Sequence, residues 1–384
     1  MARENHDAVR RGRTFYDADS HLMELGDWLV QYADPHIRDR IRPLHLGAAG
    51  ALAERAVREG AARRSDPTSA RDLEGRLMDV KGWAALGAFD ARERSRALDL
   101  LGVAKQLVFS TFAATQFVGH DQELLFGGTR AHNRAMAAFC AHDPRLIAVG
   151  AVPWGDPERT LAEAREAIRL GCGALLVPSA PPRDRSPFHP DYFPLWRLLE
   201  ETGVPFMLHV GGGGRPLRPG FHANGLPPVT DFLGGGENIR SKDFMVLHVP
   251  PETFLSCMTL DGIFERFPRL RGGCIEQGAM WVVPWLKRLD ITQTTFRRTE
   301  PALALPLRAS EYIRRQVKFT PFATEPVGWI IEQVGPHLLL FSTDYPHPEG
   351  TRDPFGRFEA SMTGVDEAAR ARFYAGNFAE MMGL

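Results

Sequence analysis

Short apolar runs alternate with longer amphipathic stretches along most of the 384-residue chain. Eight runs read as buried strands: RTFYDAD (13–19), KQLVFST (105–111), LIAVGAVP (146–153), GALLVP (173–178), PFMLHV (205–210), GGCIEQ (272–277), VKFTPF (317–322) and LLLFSTDYP (338–346). Each is short, rich in Val, Phe, Leu and Ile, and bounded by Gly, Pro or Asp. Between the runs the spacing turns helical. In PERTLAEAREAIRLGC, Leu161, Ala164, Ala167 and Ile168 fall at helical intervals and Gly171 supplies a stop. DYFPLWRLLEETG stops at Gly203 in the same way. Over 252–268, Leu255, Met258, Ile263 and Phe267 make one broad helical face. The stretch 279–290 is apolar for several turns, more than one buried stripe needs, so its Trp281–Trp285 face is a candidate partner surface.

Eight strands alternating with helices predict one (β/α)₈ TIM barrel domain over residues 1–384, with a doubly wound open sheet as the alternative. Over eighty residues separate the first two runs. The span 35–95 therefore reads as an insertion after strand 1, and its Ala/Arg-rich part, 47–66, as a helix with a solvated charged face. Residues 211–238 form a long Gly/Pro-rich loop after strand 5, and loops of that length in compact domains are often lids. Residues 1–12 read as a flexible N-terminus.

Composition narrows the function classes. At 44% hydrophobic and 24% charged, the chain can bury a large core. A net charge of −1 gives no field for nucleic acid or an anionic membrane, so the expected partner is a small-molecule substrate. No apolar segment follows Arg3, Arg10, Arg11 and Arg13, so no secretory signal is expected. No apolar run is long enough to span a bilayer. Cys140, Cys172, Cys257 and Cys274 are scattered in apolar surroundings without a CxxC and read as buried thiols, which suits a reducing cytoplasm.

In a parallel barrel, chemistry gathers where strands end. The first run ends in Asp19-Ser20-His21, the fifth at His209, the sixth at Glu276-Gln277, and the eighth at Thr343-Asp344-Tyr345-Pro346-His347. The second, third and fourth end in Ser110-Thr111, Pro153-Trp154 and Pro178-Ser179, without a strong ligand. Residues at i and i+2 of an extended segment share a side, so Asp19 and His21 can bind one cation together. His209 and Asp344 complete a mixed N/O shell for a divalent ion such as zinc, which lowers the pKa of bound water and polarises a carbonyl or carboxylate. Each residue also has a plainer reading. Asp19 can cap a helix with Glu24 near its dipole, His209 can be a satisfied core histidine, and Asp344 can form a turn. Those readings would have to hold at four strand ends at once. Asp17 reads as a deeper structural residue, Glu24 as part of the first helical turn or the pocket rim, and His248 as a helix-cap residue.

DADSHLMEL, PFMLHVGG, GIFERFPRLRGGCIEQGAMWVVPWLKRLD, LLLFSTDYPHPEG and FYAGNFAEMMGL together resemble the amidohydrolase-related (amidohydrolase 2) family, the branch containing aminocarboxymuconate-semialdehyde and resorcylate decarboxylases. The resemblance runs from about residue 14 onward and is weakest across 35–95. It implies a metal-dependent (β/α)₈ barrel, often a dimer, with zinc or manganese. Its (E/D)xH motif matches Asp19 and His21, its fifth-strand histidine matches His209, and its eighth-strand aspartate matches Asp344. Glu276 stands where the decarboxylases usually have a proton-transferring histidine. The combined expectation is a hydrolase with one divalent ion, Zn²⁺ foremost and Mn²⁺ or Fe²⁺ as alternatives, held by Asp19, His21, His209 and Asp344. Asp344 serves as base, Glu276 as alternative base or acid, and His347 orients the substrate or the aspartate. The alternative on the same scaffold is a nonoxidative decarboxylase of an aromatic or unsaturated acid. A metal-free binding scaffold is the third reading.

Overall fold

The computed structural model describes residues 12–214, 216–227 and 239–384. Its centre is a parallel sheet of β1 (Tyr16–Asp17), β2 (His21–Leu22), β3 (Lys105–Ser110), β4 (Leu146–Ala151), β5 (Ala174–Leu176), β6 (Phe206–His209), β7 (Gly272–Ile275) and β8 (Val317–Phe319). Both β1 and β2 pair with β3, and the order then runs in sequence to β8, every pairing parallel. The first expected strand is thus interrupted between Asp17 and His21.

The run 338–346 makes only isolated bridges, yet it joins the two ends of this row. Phe319 pairs with Leu339 and Ser20 with Tyr345. Leu340 N–H donates to Phe319 O at 2.9 Å, Ala18 N–H to Phe341 O at 3.0 Å, and Asp344 N–H to Asp19 O at 2.9 Å. This α/β arrangement is consistent with the expected barrel. Inside it, Leu107, Phe109, Val149, Ala174, Met207, Ile275 and Leu340 pack as one cluster, with Phe378 and Met381 of the helix Asn377–Met382 in the same cluster.

The helices form where caps and apolar stripes agree. The helix expected within 47–66 forms as α1 (Gly50–Ser65). In α2 (Ala91–Leu101), Asp90 accepts from the Arg92 and Glu93 N–H groups, and Gly102 ends the helix at φ 67°. α3 (Gln122–Cys140) begins on Asp121, and α4 (Pro157–Arg169) on Asp156 with proline in its first turn. α5 (Phe193–Thr202) stops at Gly203, φ 71°.

Several expectations change. The single face expected over 252–268 is broken: α6 (Val249–Leu260) ends before Gly262, whose φ of 74° starts a separate turn, Ile263–Arg266. The apolar stretch at 279–290 becomes α7 (Val282–Phe296), but its tryptophans do not form an outer face. Trp285 is buried and donates to Ser256 Oγ at 2.8 Å, while half-buried Trp281 stacks on His248. Cys257 is exposed, unlike Cys140, Cys172 and Cys274. The N-terminus expected to be flexible lies outside the described residues except for Gly12. No described helix is long and apolar enough to cross a membrane.

His132 of α3 gives the fold a pH dependence. It is buried, 2.8 Å from Ser110 Oγ and 3.0 Å from Asn133 Oδ1, and burial lowers its pKa to about 4. The unfolded ring takes its proton near 6.5 and the folded ring does not. Its stabilising share is therefore complete above about pH 6.5 and drains away as pH falls toward 4, by about 3 kcal/mol in all. Urea midpoints between pH 7 and 4.5 should fall less steeply in His132→Gln than in the parent. Equal slopes would show that His132 does not govern this window.

Candidate metal centre

The donor groups stand where the strands stop. Asp19 lies between β1 and β2, His21 opens β2, His209 closes β6, and Glu276 follows β7 directly. Asp344 follows the run that joins the sheet's ends. Among the described residues, Glu276 (φ 56°) and Asp344 (φ 54°) are the two non-glycine positions with positive φ. Each costs roughly 1–3 kcal/mol of backbone strain, and strain of this kind concentrates at functional sites. Both turns are pinned. Glu276 N–H donates to Thr320 Oγ1 at 2.8 Å, and Asp344 N–H to the carbonyl of Asp19.

The side chains converge. His21 Nε2 lies 3.3 Å from Asp19 Oδ1, 3.6 Å from Asp344 Oδ1 and 3.8 Å from Glu276 Oε2. His209 Nε2 lies 3.5 Å from Asp19 Oδ1 and 3.3 Å from Glu276 Oε2. Two overlapping groups have donor atoms within 4.8 Å of one another: Asp19, His21, His209 and Glu276, and His21, Glu276, Asp344 and His347. Glu276, expected as an acid or base, therefore sits among the ligand candidates as closely as Asp344 does. Burial, then the neighbouring His347 and His209, holds the His21 pKa well below the usual range, so its ring is neutral and able to donate a lone pair.

These residues fit a divalent cation. Asp19 Oδ1, His21 Nε2, His209 Nε2 and Asp344 Oδ1 are buried without a hydrogen-bond partner. Buried polar atoms left in that condition cost about 1–3 kcal/mol each. His209 Nδ1 lies 3.1 Å from the Val210 carbonyl and donates to it, which turns the lone pair of Nε2 toward the cluster. Mixed imidazole and carboxylate donors suit zinc, manganese and iron.

Around the donors lies a buried frame. Thr343 donates from N–H to Asp17 Oδ1 at 2.9 Å and from Oγ1 to Asp17 Oδ2 at 2.6 Å. Gln106 Nε2 donates to Asp17 Oδ2 at 2.8 Å, and Arg94 Nη1 donates to Gln106 Oε1 at 3.1 Å. Arg94 also donates to the carbonyls of His21 and of Gly87. One chain of bonds thus runs from the residue before Asp344, through Asp17, to the backbone of His21. Asp17 has the structural role expected of it. No sequence signal marks Arg94 or Gln106, because one lies on a helix and the other inside β3, without a local motif.

Glu24 is not a ligand. Its carboxylate accepts from the Thr111, Phe112 and Ala113 N–H groups at 3.1, 3.0 and 2.9 Å, holding the loop after β3. That loop matters, because Thr111 Oγ1 is 3.0 Å from His347 Nε2. His347 lies flat on His21, with ring centroids 3.6 Å apart, and its Nδ1 is 3.0 Å from Asp344 Oδ1.

A cavity of about 1090 Å³ opens from Asp19, Glu276 and Asp344. It is walled by Ile239, Arg240, Phe244, Met245 and Leu247, and by the segments 320–324 and 349–353. The expected lid at 211–238 does not line it where it is described. Residues 221–227 are exposed, and 228–238 lie outside the described residues. The segment after that loop contributes Ile239, Arg240, Phe244, Met245 and Leu247 to the wall.

A family model described as Amidohydrolase matches residues 16–384. Over 290 residues the chain is 25% identical to a gamma-resorcylate decarboxylase from Rhizobium sp., covering 72% of this chain and 80% of that protein. Among solved structures, an amidohydrolase from Mycobacterium avium subsp. paratuberculosis superposes with a TM-score of 0.75 at 21% identity, covering 97% of this chain and 100% of the other. A 5-carboxyvanillate decarboxylase from Novosphingobium aromaticivorans, with manganese and a nitrobenzoic acid bound, gives a TM-score of 0.64 at 20% identity, covering 97% and 98%.

Proposed function

Because the chain belongs to the amidohydrolase family, we propose that it is a divalent-metal-dependent carboxy-lyase on a (β/α)₈ barrel, releasing CO₂ from an aromatic or unsaturated acid. The observation that carries metal dependence is the set of buried donor atoms on Asp19, His21, His209 and Asp344 that lack hydrogen-bond partners. The decarboxylases among the relatives favour the lyase over a hydrolase. Asp19, His21, His209 and Asp344 would hold the ion, Mn²⁺ or Zn²⁺, with Glu276 beside them. When bound, such an ion supplies Lewis acidity toward a substrate carboxylate and a neighbouring oxygen.

The chain's own residues handle the proton. Asp344 delivers a proton to the carbon that bears the carboxylate. The bond from that carbon to the carboxylate then breaks, its electron pair stays with the carbon, and CO₂ departs. His347, fixed by Thr111, sets the direction of the Asp344 carboxyl and returns a proton to it. The carboxylates of Asp19 and Glu276, with Glu349 and Asp353 further out in the cavity, would repel an anionic substrate. Besides the ion, Arg240, Arg352 and Arg357 in the same cavity offset that repulsion.

Glu276 favours a second reading, because a carboxylate at that position suits a base acting on water in a hydrolase. The two reactions differ in which atoms come from solvent. Turnover of ortho-hydroxybenzoic acids in D₂O should release CO₂ and leave one deuterium on the carbon that lost it. Incorporation of ¹⁸O from H₂¹⁸O into an organic product, without CO₂, would instead establish hydrolysis.

A further inference from the structure

The cavity is larger than a one-ring acid requires, and one side of its wall is apolar while its floor is polar. At about 1090 Å³ it lies just above the range of roughly 300–1,000 Å³ found for sites that enclose drug-sized ligands. Asp19, Glu276 and Asp344 make the polar floor. Phe244, Met245, Leu247 and Phe322 make an apolar wall. Phe244 and Met245 are 47% and 70% exposed, unusual for side chains of this size beside a polar site. Phe244 is held by the Phe322 ring, with centroids 5.1 Å apart. Phe322 is fixed in turn, its N–H donating to the half-buried carboxylate of Glu325 at 2.9 Å. The wall is therefore an ordered apolar surface continuous with the site.

We propose that the substrate is an acid with an extended apolar body, larger than a single hydroxybenzoate ring, and that Phe244, Met245, Leu247 and Phe322 select it by packing against that body. The acidic head rests on the function proposed above; the apolar body does not. Burying a second ring against this wall removes enough apolar surface from water to tighten binding about tenfold or more.

Calorimetric titration of the Mn²⁺-loaded protein with two pairs of ligands tests both parts separately. The acid pair is salicylate and 4-phenylsalicylate, and the headless pair is phenol and 3-phenylphenol, which keeps the phenyl group meta to the hydroxyl. The phenyl group should improve affinity at least tenfold in both pairs. In the doubly substituted Phe244→Ala/Met245→Ala protein, that gain should shrink to threefold or less while circular dichroism stays unchanged. Absence of a gain in both pairs, or a gain that survives the double substitution, would overturn the apolar-body proposal. A gain in both pairs with acids binding no better than phenols would leave the apolar body standing and remove the acid head.

Discussion

Asp344→Asn should fold normally and lose turnover by a factor of a thousand or more. Asparagine keeps the shape of the side chain and tolerates the left-handed backbone at φ 54° at least as well as aspartate. The backbone bond to Asp19 O does not involve the side chain and survives. Two things are lost. The charge facing His21 and His347 disappears, and no carboxyl remains to carry the proton. General acid–base groups contribute roughly 10²–10⁴-fold, and a weakened ligand set adds to that. Separate measurements of Mn²⁺ affinity and of CO₂ release at saturating Mn²⁺ divide the two effects. A rate within tenfold of the parent at full metal occupancy would remove Asp344 as the proton donor and leave it a ligand only.

The second large effect is expected 73 residues from His21, at Arg94. Arg94→Met preserves length and flexibility, and it relieves the burial of a charge. Against that relief stand three acceptors, the carbonyls of His21 and Gly87 and the Oε1 of Gln106, that lose a donor where water does not reach. At about 1–3 kcal/mol for each stranded acceptor, the loss outweighs the relief, and we expect a net cost of about 3 kcal/mol. Cation–π contacts to Tyr345 and Phe139, with centroids at 5.3 and 5.8 Å, are lost as well. The functional readout is metal affinity. Groups that orient a ligand from behind are typically worth 10–100-fold, so Mn²⁺ should bind at least tenfold more weakly, with partial recovery in Arg94→Lys. Leu199→Ala, a core truncation in α5 of comparable cost, is the control and should keep its Mn²⁺ affinity. If Arg94→Met lost stability and kept its affinity, the frame would be structural only.

Much of this was legible in the chain, for identifiable reasons. Buried parallel strands are short apolar runs, and seven of the eight expected runs contain a strand within their limits or at their edge. Polar residues at the ends of such runs are conspicuous, so Asp19, His21, His209, Glu276 and Asp344 stand out even without their distances. The resemblance to the family supplied the ligand pattern that periodicity alone left open. Other features left no readable mark. Nothing in GGCIEQG announces that Glu276 takes a left-handed turn, and that turn brings its carboxylate among the ligand candidates. The break at Gly262 was signalled by Asp261-Gly262 but outweighed by the apolar face on both sides. Arg94 looks like one more charge on an amphipathic helix, since only tertiary packing shows that it is buried. The described part of the loop at 211–238 draws attention by its glycines, yet it is the less conspicuous stretch after residue 238 that lines the cavity among the described residues.

The bonds between Thr343 and Asp17 span 326 positions of the chain. Asp344 is made 325 positions after Asp19. A nascent chain therefore carries two of the four proposed ligands up to residue 209 and three from there to residue 344, and should not take up an ion there with full affinity. Full affinity should therefore be reached only after residue 344 has been made. Stalled chains that stop before residue 344 should bind Mn²⁺ no better than a His209→Ala chain of full length. Tight binding by such chains would show that the site closes without its last strand.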